Sequence, residues 1–163
     1  MHPALLSESE LLNACDVKQM RRGGPGGQRR NKVETAVVIT HKATGIRAEA
    51  SERRSRAENL AKAVFRLRLN MAVSVRGEAD AASSVWQTRC ASGRLSINPS
   101  HRDYPAMLAI ALDAIADQRY DMSEAATVLG CTPSQLLKLV KLEPKAFQQL
   151  NQARADHGFH PMK

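Results

Sequence analysis

The spacing of apolar positions changes along the chain, and each change predicts a different kind of element. Residues 16–22, DVKQMRR, alternate loosely and predict a short strand. Residues 33–41, VETAVVITH, are dense in β-branched side chains and predict a second strand. After a turn at Lys42-Ala43-Thr44-Gly45, residues 46–50 place Ile46, Ala48 and Ala50 on one face and Arg47 and Glu49 on the other. The last two segments predict an antiparallel hairpin. The period then lengthens. Ser55-Arg56-Ala57-Glu58 reads as a helix-capping box. Leu60, Val64, Leu67 and Met71 follow as one apolar stripe, with Lys62, Arg66 and Arg68 off it. This helix is expected to cover one face of the sheet and to expose basic side chains.

Residues 73–102 are mixed. A short helix is expected around 79–91, anchored by Val85 and Trp86, and Gly93 to Pro99 reads as a connector. From Tyr104 the pattern is helical. Leu108, Leu112 and Ile115 share a face, with Pro105 well placed in a first turn. Ser123 is a candidate cap for a second helix and Gly130 a candidate stop. Thr132-Pro133-Ser134-Gln135 offers another capping box, leading to Leu136, Leu139 and Val140. Pro144 opens a last helix through Phe147, Leu150 and Arg154, stopped by Gly158. The fold class expected is α+β: a small antiparallel sheet with a packed helix, then a small all-helical C-terminal domain.

Composition narrows the classes. The chain has 163 residues, and at 43% apolar but only 4% aromatic its core must rest on aliphatic side chains. No apolar run approaches the roughly 18 residues that span a bilayer, and MHPALLSESELL lacks the basic-then-apolar order of a secretory signal. Cys15, Cys90 and Cys131 are odd in number and far apart, which argues against a disulfide framework or zinc site. A cytoplasmic location with no metal, cofactor or membrane partner is expected. His157 and His160 sit at i and i+3 but lack an evident third ligand, and His41 and His101 are isolated. A structural role is the default for them, as core burial is for Trp86 and Cys131.

Charge is concentrated. The net charge is +8, yet residues 17–72 carry 14 Lys and Arg against four acids, while residues 1–16 carry three acids and no base. A local positive field of this size attracts nucleic acid. Within it lies GGPGGQRRNK, residues 23–32, with four glycines in five positions. Such a run cannot form a helix or strand interior. It lets a backbone approach RNA or an ester oxygen closely and leaves N–H groups uncovered. Gln28 offers an amide acceptor and donor but no general base at neutral pH. Arg21, Arg22, Arg29, Arg30 and Lys32 around it suit a phosphate-lined site. The pattern departs from both the P-loop and the GxGxxG dinucleotide turn.

The ordered set GGPGGQ, the NK after RR, the strand AVVITH, the TGI turn and ERRS before a basic helix resembles the catalytic domain of class I peptide chain release factors. It spans roughly residues 17–72. The resemblance implies that Gly26, Gly27 and Gln28 form the catalytic tripeptide, which promotes attack of water on the ester of peptidyl-tRNA. In that family the backbone N–H of the glutamine is held to stabilise the oxyanion. Gly23, Gly24, Pro25, Arg29, Arg30, Asn31 and Lys32 would support the loop or touch rRNA. Arg21, Arg22, Arg53, Arg54, Arg56, Lys62 and Arg66 would bind RNA. The implied partners are the large-subunit peptidyl transferase centre, peptidyl-tRNA and a glutamine methyltransferase acting on the Gln28 side-chain amide. Gly23 replaces the family's usual serine, and Arg29-Arg30 replaces a less charged pair. The implied domains are 1–75, catalytic; 76–103, a connector; and 104–163, helical. No codon-reading tripeptide is recognisable, and ADHGFHPMK is not strongly basic. The expectation is a ribosome-dependent peptidyl-tRNA hydrolase that rescues stalled ribosomes without a stop codon. The alternatives are a non-catalytic ribosome- or RNA-binding factor of the same fold, and a DNA-binding regulator. The last would use SEAATVLGCTPSQLLKLVK, which has helix–turn–helix spacing but few base-reading side chains.

Overall fold

In the computed structural model, residues 1–21 and 35–163 are described, and they divide into two units: Leu6–Met71, and Met1–Leu5 together with Ala72–Lys163. The first unit opens with helix α1 (Glu8–Asn13), whose start is fixed by a capping box between Ser7 and Glu10. Three strands follow, β1 (Cys15–Met20), β2 (Ala36–His41) and β3 (Arg47–Ala50), in the antiparallel order β1-β2-β3. The central strand carries the burial. Val37, Val38 and Ile39 are all inside, whereas every β1 residue after Cys15 is exposed. The register sets Val37 opposite Ala50 and Ile39 opposite Ala48, which gathers these apolar side chains on one face.

Helix α2 (Arg56–Ser74) buries Ala63, Val64, Leu67 and Met71 and leaves Leu60 half-buried. Ser55 Oγ accepts from Glu58 N at 3.4 Å, which is the serine half of the expected capping box. Asn70 Nδ2 donates to Arg47 O at 3.0 Å and Arg66 Nη1 to Glu49 O at 2.7 Å, so the helix is tied to the backbone of β3.

The second unit contains α3 (Ser84–Arg89), a hairpin of β4 (Cys90–Ala91) and β5 (Arg94–Leu95), and helices α4 (Tyr104–Asp117), α5 (Met122–Leu129), α6 (Pro133–Lys141) and α7 (Pro144–Asp156). The hairpin corrects the expected connector from Gly93. Its two turn residues, Ser92 and Gly93, have φ of 53° and 72°. Left-handed values at both positions are what a two-residue hairpin turn requires. With Ser in the first position and strands of two residues, no alternating pattern announced it.

Helix α4 is buried along its length from Tyr104 to Ile115 rather than on one stripe. It packs against α3, α5, α6 and the 3-10 turn at Pro3–Leu5. Alanine at five of its positions lets those neighbours approach from all sides. The cap of α5 is Asp121, whose carboxylate accepts from Ser123 N at 2.8 Å and Glu124 N at 3.1 Å, and not Ser123 as expected. Carboxylate and hydroxyl are both good caps, and the acid stands one position before the first helical residue. Gly130 ends α5 at φ +69°, and the Thr132–Gln135 box starts α6, both as expected.

Residues 1–5 belong to this unit because of His2. Its ring is 4% exposed; Nε2 lies 3.2 Å from Val75 O, and Nδ1 accepts from Ala4 N at 3.1 Å. Nearby, buried Asp113 accepts from Gly77 N at 3.0 Å and lies 3.6 Å from Arg76. Burial pushes the pKa of His2 below its ordinary value and that of Asp113 above its own, the latter against the pull of the Gly77 N–H, His2 and Arg76. A histidine held neutral by the fold takes up its proton more readily once unfolded. Its contribution is therefore present above the unfolded pKa, near 6.5, and lost as pH falls through that value toward the folded one. Asp113 works in the opposite sense at more acidic pH. The expected result is that the stability advantage of the native chain over His2→Gln at pH 7.5 shrinks by pH 5.5, read by urea unfolding at the two pH values. A gap independent of pH would contradict the assignment.

Candidate functional site

The sheet register fixes the two ends of the glycine-rich segment. Met20 pairs with Ala36, so the chain leaves β1 and re-enters β2 at directly opposed residues. Arg22, Gly23, Gly24, Pro25, Gly26, Gly27, Gln28, Arg29, Arg30, Asn31 and Lys32 lie outside the described residues. Arg21 follows β1 and is exposed.

Thr35, on the β2 side, is held by a residue that sequence reasoning missed. Asn59 is fully buried, and its Nδ2 donates to Thr35 O at 2.7 Å and to Arg53 O at 3.0 Å. Its Oδ1 accepts from Arg53 N at 2.9 Å. One amide thus ties the return of the chain into β2 to the bend at Glu52–Arg54. The available signal was its place four residues before Ala63 and eight before Leu67, on the apolar face of α2. A polar side chain there must be hydrogen-bonded to be tolerated. Asn59→Ala would leave up to three buried backbone groups without partners. The expected loss is about 2–3 kcal/mol of unfolding free energy, measured by denaturant titration; a loss indistinguishable from zero would mean that water replaces the amide.

The basic residues of this unit divide by what they touch. Arg53 and Arg54 are exposed and have no carboxylate partner among the described residues. Arg56 opens α2, and its Nη2 donates to the side-chain oxygen of Gln19 on β1 at 2.8 Å. Lys62 is half-buried nearly two turns further on. Arg66 is engaged inside the unit: it pairs with Glu52 as well as with Glu49 O. That guanidinium holds the Glu52 carboxyl down at about 2. Two free arginines beside the Asn59 knot and a third bridging to β1 thus place positive charge on the bend that adjoins Thr35. Such an arrangement suits phosphate.

The remaining sequence candidates have structural surroundings. His41 is buried with Nδ1 2.9 Å from Thr44 Oγ1, inside the β2–β3 turn. Trp86 is 1% exposed and donates to Leu129 O at 2.9 Å. Burial lifts the Cys131 thiol to about 11, with Cys90 nearby adding to the effect. It is therefore a poor nucleophile at neutral pH. His157 Nδ1 lies 2.8 Å from Ala153 O, and no cluster of three metal-ligating side chains occurs among the described residues. No helix among them is long and apolar enough to cross a membrane.

Comparison with known proteins bears on this arrangement directly. The RF-1 domain family model matches residues 11–104, which take in the sheet, α2, α3, the hairpin and the first residue of α4. A chloroplastic peptide chain release factor of Arabidopsis thaliana is 47% identical over 58 residues, 36% of this chain and 13% of that relative. The chain therefore aligns with a small part of that longer protein. No solved structure matches it.

Proposed function

The chain belongs to the RF-1 domain family of class I peptide chain release factors, and from that premise we propose that it hydrolyses the ester bond of peptidyl-tRNA on the ribosome. The observation that carries the reading is the GGPGGQ run, which lies between the paired residues Met20 and Ala36 of the antiparallel sheet, inside the stretch matched by the RF-1 domain model. The chemistry follows from the residue types. A water oxygen attacks the ester carbonyl carbon, and the carbonyl oxygen takes on negative charge. The bond to the tRNA ribose oxygen then breaks, that oxygen gains a proton, and the peptide leaves with a free carboxylate. Gly26 and Gly27 allow close approach of the backbone to the ester, and the backbone N–H of Gln28 donates to the oxyanion. Such a donor is worth about 3–4 kcal/mol in the transition state. The Gln28 side chain admits and places the water. It neither accepts the proton nor attacks, because an amide is not basic enough. Gly23, Gly24, Pro25, Arg29, Arg30, Asn31 and Lys32 carry the loop and meet rRNA, and Arg21, Arg22, Arg53, Arg54, Arg56 and Lys62 orient the unit on phosphates. Arg66 serves this by bracing the Glu52 bend. N5-methylation of Gln28 by a glutamine methyltransferase fits an amide whose task is steric selection.

The finer reading is that the target is a stalled ribosome with no stop codon in its A site. It is supported by what accompanies the sheet unit, a helical unit with helix–turn–helix spacing at residues 122–141. The test is release of labelled peptide from purified stalled complexes, with and without a stop codon. Release that needs no stop codon is expected, and little hydrolysis of free peptidyl-tRNA. Binding to ribosomes with no release would leave the non-catalytic alternative. Release only at a stop codon would overturn the rescue reading and keep the chemistry.

A further inference from the structure

Helix α6 exposes a basic face that the sheet unit does not explain. It buries Leu136, Leu139 and Val140 and turns Ser134, Lys138 and Lys141 outward, with Lys145 exposed in the first turn of α7. The β4–β5 hairpin lies at the other end of α6, against the turn at Gly130 that precedes it. A Cβ on Gly93 would stand 3.4 Å from Gly130 O, Cys90 Sγ is 3.8 Å from that oxygen, and β5 packs on α6. Exposed Arg94 follows Gly93 directly. Lys138, Lys141, Lys145 and Arg94 have no carboxylate within ion-pair distance among the described residues. The single acid in residues 131–145, Glu143, is occupied as the cap of α7, its Oε1 accepting from Lys145 N at 3.2 Å.

We propose that this face, Lys138, Lys141 and Lys145, binds the phosphate backbone of ribosomal RNA. Assigning the RNA to the ribosome rests on the function proposed above. The start of α6 favours backbone contact over base reading. A helix that reads DNA bases uses free side chains in its first turn. Here Thr132 and Gln135 are spent on each other's backbone, Gln135 Oε1 accepting from Thr132 N at 3.2 Å and Thr132 Oγ1 from Gln135 N at 3.3 Å. Pro133 adds no donor. The exposed lysines come later, Lys138 and Lys141 in the last turn of α6 and Lys145 in the first turn of α7, with the Lys141 ammonium 5.5 Å from the Phe147 ring centroid; charges set away from the first turn of α6 suit phosphate contact rather than base reading.

The test compares the full chain with a variant carrying Lys138→Gln, Lys141→Gln and Lys145→Gln together, and with a Lys→Arg counterpart. Binding of fluorescently labelled protein to purified ribosomes is followed at several salt concentrations. The Gln variant is expected to bind at least about tenfold more weakly near physiological salt. Its plot of log affinity against log salt should be flatter by about 2–3, since each lost phosphate contact removes roughly 0.7–0.9. The Arg variant should bind like the native chain. In the peptide-release assay the Gln variant should need more protein for half-saturation and reach the native rate when saturated. The three side chains are exposed and carry no ion pair among the described residues, so the Gln variant should stay folded, its melting lowered only by the loss of the Lys141–Phe147 contact and of the last-turn charges, and the Arg variant should melt like the native chain. Unchanged affinity and salt slope in the Gln variant overturn the proposal while leaving catalysis intact. Lysine-dependent binding with no release by the native chain supports this face and instead defeats the catalytic reading. If the lysines govern affinity for a DNA duplex and leave ribosome binding untouched, the partner is DNA and the proposal fails.

Discussion

Gly27→Ala is expected to lower the single-turnover rate of peptide release by about 10²-fold or more at saturating protein, with ribosome binding nearly unchanged. A methyl group at this position restricts the backbone and adds bulk beside the N–H proposed to reach the oxyanion. Gln28→Ala should behave differently. It keeps the backbone N–H and removes only the amide proposed to place water, so its loss should be smaller. It should also let larger nucleophiles, such as small alcohols, compete with water for the ester. Gln28→Pro removes the N–H itself and should match or exceed Gly27→Ala. Rapid-quench release of labelled peptide with each variant decides the matter. An unchanged rate for Gly27→Ala would refute the catalytic assignment, and equal losses with no change in nucleophile selectivity would refute the division of labour between backbone and side chain.

Trp86→Ala should cost the helical unit about 3–5 kcal/mol, the largest stability effect expected of a single side chain there. The indole is 1% exposed, and its N–H satisfies Leu129 O at the end of α5. Truncation opens a cavity and leaves that carbonyl without its donor. Trp86→Phe refills part of the space but not the bond, and about 1–2 kcal/mol should go. Trp86 is the only tryptophan of the chain, so its fluorescence reports on this unit alone. Urea unfolding followed by fluorescence for the native chain, and by circular dichroism for the variants, measures the difference. Loss of less than about 1 kcal/mol for Trp86→Ala would show that α3 is not an anchored element.

Much of the architecture was legible because single residues carried it. The β-branched run at residues 36–41, Gly130 in the left-handed region and the Thr132–Gln135 box each specify one local conformation. The rest depends on contacts between distant parts of the chain, which periodicity does not encode. The Ser92-Gly93 hairpin is stabilised by its place against the α5–α6 turn rather than by its own strands. The all-round burial of α4 follows from how many elements surround it. Asn59 and Asp113 stand on apolar faces, and what makes them structural is partners, Thr35 and Gly77, that lie 24 and 36 residues away. At the candidate site residue types alone suggest a close-approaching loop set among phosphate-binding charges, and the catalytic tripeptide is what the family resemblance implies. The Asn59 knot and the pairing of Arg66 with Glu52 could not be read that way, since arginines look alike in sequence until their partners are known.

The helical unit is assembled from two stretches of chain with the sheet unit between them. This has a consequence for the order of events during translation. Residues 1–5 leave the exit tunnel before α4, the helix they pack on, has been made. Residues 6–71 are contiguous and can complete their sheet and the first turns of α2 while the chain is still growing. His2 must wait for Val75, and the 3-10 turn for α4. A nascent chain interrupted after α2 would therefore display a finished sheet unit with an unoccupied N-terminal segment. The helical unit would appear only on chains that had been translated well beyond residue 104.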